Sequence, residues 1–336
     1  EFEFLTGNSM NFLPSGSIPY QQYILGPTDS LATLLKGYGY ETRAFHPGEQ
    51  TSWQRNIAYP RLGFDSFKCG EDMDVPQTEE HGYVSDDSDF EQIIWEFEHK
   101  DESTPLFLFN VTIQNHGSYT VEDYPAEVQL ADEPGAYPKA EQYLTLANKT
   151  DEAFKKLINY FSAQTEPTIL VMFGDHQPSV EQEFLDKAYG VTQDEMTMAQ
   201  YMDKFKVPFI IWANYPLTGD STKITSLNFL AQYVLRNAGI ETSAYGKYLW
   251  NLQKTIPAMT FAGYFDSEGN AYSHLDWQLD ENDRMLQMFE LTFDVSIVSF
   301  LFPLTIGACI YTVSPEGVKY INVIEILEKY NLTFAA

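Results

Sequence analysis

Cysteine and positive charge are the two things this sequence is short of. Two cysteines in 336 residues, Cys69 and Cys309, are too few for a disulfide scaffold, so the core has to be apolar. Such low usage fits a cytosolic protein and a bacterial extracellular one equally. Lysine and arginine number 20 against 48 aspartates and glutamates, giving a formal net charge of −28 at pH 7. A surface this acidic repels polyanions, which excludes nucleic acid and anionic lipid as broad-surface partners. It leaves room for a small anionic substrate, because one arginine and a metal ion reverse the field locally. The opening residues, Glu1-Phe2-Glu3-Phe4, have neither the basic region nor the apolar run of a secretory leader. No internal repeat or low-complexity linker interrupts the chain.

What is present is a large apolar fraction, 44% hydrophobic and 15% aromatic, enough to bury a core and to exclude global disorder. Apolar runs alternate with amphipathic stretches. Pro27-Thr28-Asp29 offers caps for a helix through Leu34 and Leu35, ended at Gly37. Residues 41–45 read as a strand leading into His46. Ser85-Asp86-Asp87 precedes Phe90, Ile93, Ile94 and Phe97, apolar at helical spacing. This acidic cluster lacks the glycine and closing glutamate of a calcium loop and reads as a charged helix cap. Residues 106–113 (LFLFNVTI) and 168–173 (TILVMF) are near-continuous apolar runs, as in strands covered on both faces. A long amphipathic segment, 139–161, lies between them. Residues 207–212 (VPFIIW) form a third run, followed by a helix over 226–236. The alternation predicts an α/β fold, a mostly parallel sheet with helices on both faces. Residues 117–138 read as a loop at a substrate cleft. Residues 295–315 carry no charge and are long enough to cross a bilayer, for which about 20 residues are needed. Pro303 and Gly307 interrupt them, and two buried strands are the alternative reading.

In such sheets ligands bind beyond the carboxyl ends of the strands. Three of the six histidines fall there: His46, His116 after Asn115, and His176 after Asp175. An aspartate and a neutral histidine offer one hard oxygen and one imidazole nitrogen, a donor set for Mn²⁺, Mg²⁺ or Zn²⁺. Taken alone, Asp175-His176 reads equally as a surface loop with a capping aspartate. Arg55 is suited to a bidentate grip on phosphate, or to a pair with one of the many carboxylates. His46 and His116 are phosphate-site histidines or satisfied structural ones, and Trp53 is a wall of the site or plain core.

Five segments in order, EFEFLTGNSM, GSIPYQQYI, FHPGEQTSWQR, TIQNHGSY and VMFGDHQP, resemble the lipoteichoic-acid-synthase and phosphoglycerol-transferase branch of the sulfatase-like alkaline phosphatase superfamily. The resemblance runs from Glu1 to about residue 288. It implies a sulfatase-like catalytic domain over 1–290 and a divergent apolar tail over 291–336. The implied activity is transfer of glycerol-phosphate from a phosphatidylglycerol-type lipid head to a polymer or glycan hydroxyl, outside a bacterial cell membrane. It proceeds through a phospho-threonine with one divalent metal, Mn²⁺ first and Mg²⁺ or Zn²⁺ as alternatives. Asp175 and His176 match two metal ligands, and His116 matches a catalytic histidine at the substrate phosphate. His46, Trp53 and Arg55 match the segment that grips the head group.

The sequence also departs from that pattern. The nucleophilic threonine, a further metal-binding glutamate and the membrane helices of the family are expected upstream of Glu1, so the chain as written is expected not to turn over. Thr6 reads as a turn or cap residue. Gly48 stands where the family often has an acid. A sulfatase or phosphoethanolamine transferase of the same superfamily, and a non-catalytic phosphate-binding domain, are the competing readings.

Overall fold

The computed structural model describes residues 1–14, 16–120, 122, 124–219 and 224–273, and three strand segments further on. Its first half builds one parallel sheet. A short helix α1 (Phe2–Thr6) ends at Gly7, whose φ of 73° is the left-handed turn that glycine adopts at least cost. After α2 (Pro19–Gln22), α3 (Leu31–Gly37) is capped by Ser30, whose hydroxyl accepts from Ala32 and Thr33, and not by the 27–29 trio. The first strand, β1 (Glu41–His46), then pairs in parallel with β2 (Ser66–Cys69), which follows α4 (Arg55–Arg61). A two-residue-turn hairpin, β3 (Glu79–Glu80) and β4 (Tyr83–Val84), precedes α5 (Asp86–Glu98). Ser85 caps α5, as its sequence suggests. Strand β5 (Leu106–Asn110) adds to the other side of β1, giving the order β2-β1-β5.

The long helix α6 (Pro138–Ser162) leads to β6 (Ile169–Phe173). Strand β7 (Phe209–Ala213) pairs with β6 antiparallel, Ile169 opposite Ala213. The alternating pattern gave no hint of this reversal. Its cause lies in the connection: α7 (Gln182–Tyr189) buries none of its residues, and Met202 of α8 (Met198–Asp203) packs in a separate cluster with Ala258 and Phe265. Neither helix lies on the sheet as a parallel crossover requires. Helices α9 (Leu227–Asn237) and α10 (Ala244–Leu252) follow, then the antiparallel strands β8 (Ala258–Thr260), β9 (Gly263–Phe265) and β10 (Ala271–Ser273).

Strands β6 and β7 form a two-stranded sheet distinct from β2-β1-β5, and helices cover both faces of that pair. On one side Phe4 and Leu5 of α1, Leu31 and Leu35 of α3 and Leu230 and Leu235 of α9 pack on Ala44 and Phe109, with Val171 and Phe173 of β6 against them. On the other, Phe90 of α5 and Phe154, Leu157 and Phe161 of α6 meet Leu170 and Met172. Each such side chain, fully buried, contributes about 1.5–3 kcal/mol.

Contacts divide the chain between His274 and Leu275; the boundary placed at 290/291 from the sequence lies outside the described residues. In the second unit β11 (Arg284–Gln287) pairs in parallel with β12 (Cys309–Thr312) and β13 (Phe334–Ala335). The uncharged stretch 295–315 thus includes a strand, and the rest of it lies outside the described residues. Among the described residues, no helix is long and apolar enough to cross a membrane.

Candidate phosphate and metal site

Parallel pairing of β1 with β5 brings their carboxyl ends side by side. His46 closes β1, 4% exposed, and its Nδ1 lies 2.8 Å from the Val111 carbonyl just past β5. A carbonyl can only accept, so Nδ1 carries the proton and Nε2 keeps its lone pair. Burial, then the Arg55 charge, pulls the His46 pKa down to about 4. The ring is therefore neutral at ordinary pH, an acceptor suited to a hydroxyl. Gly48 is needed beside it, because a Cβ there would lie 2.6 Å from Nε2 and 3.0 Å from Ile113.

Arg55 opens α4 and is 5% exposed. Its Nη2 donates to Glu1 Oε1 at 2.5 Å and its Nε to Glu1 Oε2 at 3.3 Å, while the Tyr59 hydroxyl donates to Oε2 at 3.0 Å. Burial works against the charged Glu1 carboxylate, and the hydrogen bonds from Arg55 and Tyr59 favour it. The fork expected to meet phosphate thus faces a carboxylate from its own chain. Trp53 is 52% exposed, not core. Trp53 and Gln54 hold φ of 58° and 57°, a left-handed pair that non-glycine residues rarely adopt. This backbone turns the indole outward at the entrance to α4.

His116 is exposed on the loop after β5. Its Nδ1 lies 2.7 Å from the Gly117 carbonyl and 3.3 Å from the Tyr83 hydroxyl. The Gly117 carbonyl again assigns the proton to Nδ1. His176 repeats the arrangement, with Nδ1 2.9 Å from the Gln177 carbonyl. All three histidines are therefore held by a backbone carbonyl in the tautomer that frees Nε2.

Asp175 and His176 follow β6, with side chains 73% and 78% exposed and Oδ2 3.4 Å from Nε2. Asp175 also accepts from the His176 amide at 2.9 Å. The pair supplies an oxygen and a free nitrogen of the right chemistry for a divalent cation. Among the described residues, no three His, Cys, Asp or Glu side chains come together to hold one. Burial, Tyr143 and Asp175 push Tyr119 up to about 12; burial and Asp175 raise Tyr143. The Tyr119 hydroxyl donates to the Asn115 carbonyl at 2.8 Å.

A model of the sulfatase family matches residues 1–240, more than half of the chain. The chain belongs to the sulfatase family. This sulfatase-family chain is 35% identical over 260 residues to a putative cyclic beta-1,2-glucan modification protein of Rhizobium meliloti, covering 74% of the chain and 39% of that protein. It is 24% identical over 247 residues to lipoteichoic acid synthase 2 of Bacillus subtilis, 72% of the chain and 37% of that protein. It thus spans about two-fifths of the length of these relatives. Among solved structures it is similar to the Streptococcus pyogenes phosphoglycerol transferase GacH in complex with sn-glycerol-1-phosphate. The TM-score is 0.62 at 19% identity, over 76% of this chain and 65% of that one. At this identity the likeness shows a shared fold.

Sequence reasoning missed Glu1, Tyr59, Tyr83, Gln114 and Thr150. Glu1 and Gln114 lie inside two of the quoted segments without a chemical signal of their own, and the other three lie outside them. Each matters through a partner distant in the chain.

Proposed function

We propose that the chain binds the glycerol-phosphate head of a phosphatidylglycerol-type lipid and serves its transfer to a polymer or glycan hydroxyl, outside a bacterial cell membrane. The observation that carries this reading is the convergence of His46, Arg55 and His116 at the carboxyl ends of β1 and β5, with His46 kept neutral. A neutral imidazole acceptor suits a glycerol hydroxyl, and a guanidinium beside it suits the phosphate. The exposed Trp53 indole walls off the glycerol. A ligand phosphate competes with Glu1 for Arg55. His116 faces the phosphate.

Asp175 and His176 would hold a divalent metal, Mn²⁺ first, which when bound neutralises phosphate charge and acidifies a coordinated hydroxyl. The names of the relatives favour this reading: one synthesises lipoteichoic acid, one is a putative glucan-modifying protein, and GacH was solved with sn-glycerol-1-phosphate. The Rhizobium relative, at 35% identity, favours a glycan as the acceptor.

The test is titration calorimetry of the chain with sn-glycerol-1-phosphate, with and without Mn²⁺. Binding that His116→Ala weakens is the expected result. Absence of binding, or tighter binding of phosphoethanolamine, would sink this reading and favour a sister activity of the superfamily.

A further inference from the structure

His116 is an exposed side chain on an irregular loop, yet the two residues before it are anchored deep in the protein. Gln114 is 1% exposed. Its Oε1 accepts from the Asp86 amide at 3.0 Å, and its Nε2 donates to Thr150 Oγ1 at 3.2 Å and to the Leu146 carbonyl at 3.3 Å. Asn115 Nδ2 donates to the same Thr150 oxygen at 2.9 Å. The Thr150 hydroxyl in turn donates to Asp86 Oδ2 at 2.5 Å. A hydroxyl has one proton and two lone pairs: the proton goes to Asp86, the nearer acceptor, rather than to the Leu146 carbonyl at 3.2 Å, and the lone pairs accept from Gln114 and Asn115. One oxygen on α6 thus ties the first turn of α5 to both residues that precede His116.

This knot is not what holds the two helices together, because Phe90, Phe154, Leu157 and Phe161 already pack α5 on α6. It carries a cost, since Asp86 Oδ1 and Asp89 Oδ2 are buried with no protein partner among the described residues and such atoms are expensive. A costly polar knot under an exposed reactive side chain is what a site needs when its working group must be fixed closely.

We infer that Thr150 and Asp86 are positioning residues for His116, acting through Gln114 and Asn115 to fix where the imidazole meets the substrate phosphate. The inference rests on the proposed glycerol-phosphate site. It places two side chains of α5 and α6, remote from the motifs, in the control of substrate affinity.

Thr150→Val removes the hydroxyl and keeps the shape, and Thr150→Ser keeps the hydroxyl and removes a methyl. Affinity for sn-glycerol-1-phosphate is measured by calorimetry, and Mn²⁺ affinity in parallel. Thr150→Val should weaken glycerol-phosphate binding about tenfold and leave Mn²⁺ binding unchanged. Thr150→Ser should restore glycerol-phosphate binding to within about twofold. Wild-type affinity in Thr150→Val, or a Thr150→Ser variant as weak as Thr150→Val, would overturn the inference, the second result pointing to simple packing. A wild-type chain that does not bind the probe, or a His116→Ala variant that binds as well as wild type, overturns the reading of the site itself.

Discussion

The two halves of the candidate site are built in opposite ways. Around His46 and Arg55 the hydrogen bonds run to distant parts of the chain: Val111, Glu1, and Tyr59 on the same carboxylate. Around Asp175 and His176 the side chains stand in solvent and bond to their own and neighbouring backbone. The first half is held in place by the fold before any ligand is present, and a phosphate there would have to draw Arg55 from Glu1. The second half is two donors on a turn, whose geometry a cation would complete. Phosphate affinity should therefore depend on tertiary packing, and metal affinity on the two side chains alone.

The largest expected effect tests the exposed half. His176→Ala should abolish Mn²⁺ binding by calorimetry while circular dichroism stays unchanged, since the side chain packs on nothing. A variant that still binds Mn²⁺ as wild type would remove His176 from the site.

The buried half gives a pH signature. His46 has a folded pKa lowered from 6.5 to about 4, so its share of stability is complete above 6.5 and is lost as pH falls towards 4. Asp86 has a folded pKa raised from 3.8 to about 6, burial being the cause. Its share is complete below 3.8 and is lost as pH rises towards 6. Each amounts to about 3 kcal/mol by linkage, so the two oppose each other between pH 4 and 6. Burial and then the Asp86 charge raise Asp89 as well, with the same sign as Asp86. Urea midpoints should show Asp86→Asn losing more stability than wild type on acidification across this window, by about 3 kcal/mol. Parallel curves would mean Asp86 ionises normally.

Smaller effects follow at the pocket itself. Gly48→Ala forces a Cβ into His46 and Ile113 and should cost about 1–3 kcal/mol in thermal or urea unfolding, with glycerol-phosphate affinity falling as His46 moves. An unchanged midpoint would show that the ring yields freely. Arg55→Lys should weaken glycerol-phosphate binding by about 1–3 kcal/mol, and a loss well under that would assign Arg55 to Glu1 alone. The smallest effect is Trp53→Gly, which removes the left-handed strain worth about 1 kcal/mol. It should leave stability level or slightly raised while affinity drops.

Legibility in the sequence followed the same divide. The candidate residues at strand ends, His46, His116, Asp175 and His176, could be picked out because an apolar run stopping at a polar residue is visible along the chain. The sheet with helices on both faces was legible for the same reason. Thr150 was invisible: a threonine within a long amphipathic helix has no local signal, and its value comes from oxygens and amides brought to it by α5 and the β5 loop. Glu1 was read as part of a motif, and only the fold brings it to Arg55 and Tyr59. The direction of β7 could not be read either, because strand polarity is set by where the connection packs, not by the apolar run.

Strand β6 offers its alternate residues to two separate cores, and all of them are apolar. A slip of one residue would exchange Val171 and Phe173 for Leu170 and Met172 with little hydrophobic penalty, so burial alone does not specify the register. What marks the zero point is polar and lies at the far end. Asn214 Oδ1 accepts from the Thr168 amide at 2.9 Å, and its Nδ2 reaches the carbonyls of Phe161, Gln164 and Glu166. The placement of Asp175 and His176 is thus indexed by an asparagine at the opposite end of the strand pair. A change at Asn214 would put Asp175 and His176 out of phase without touching them.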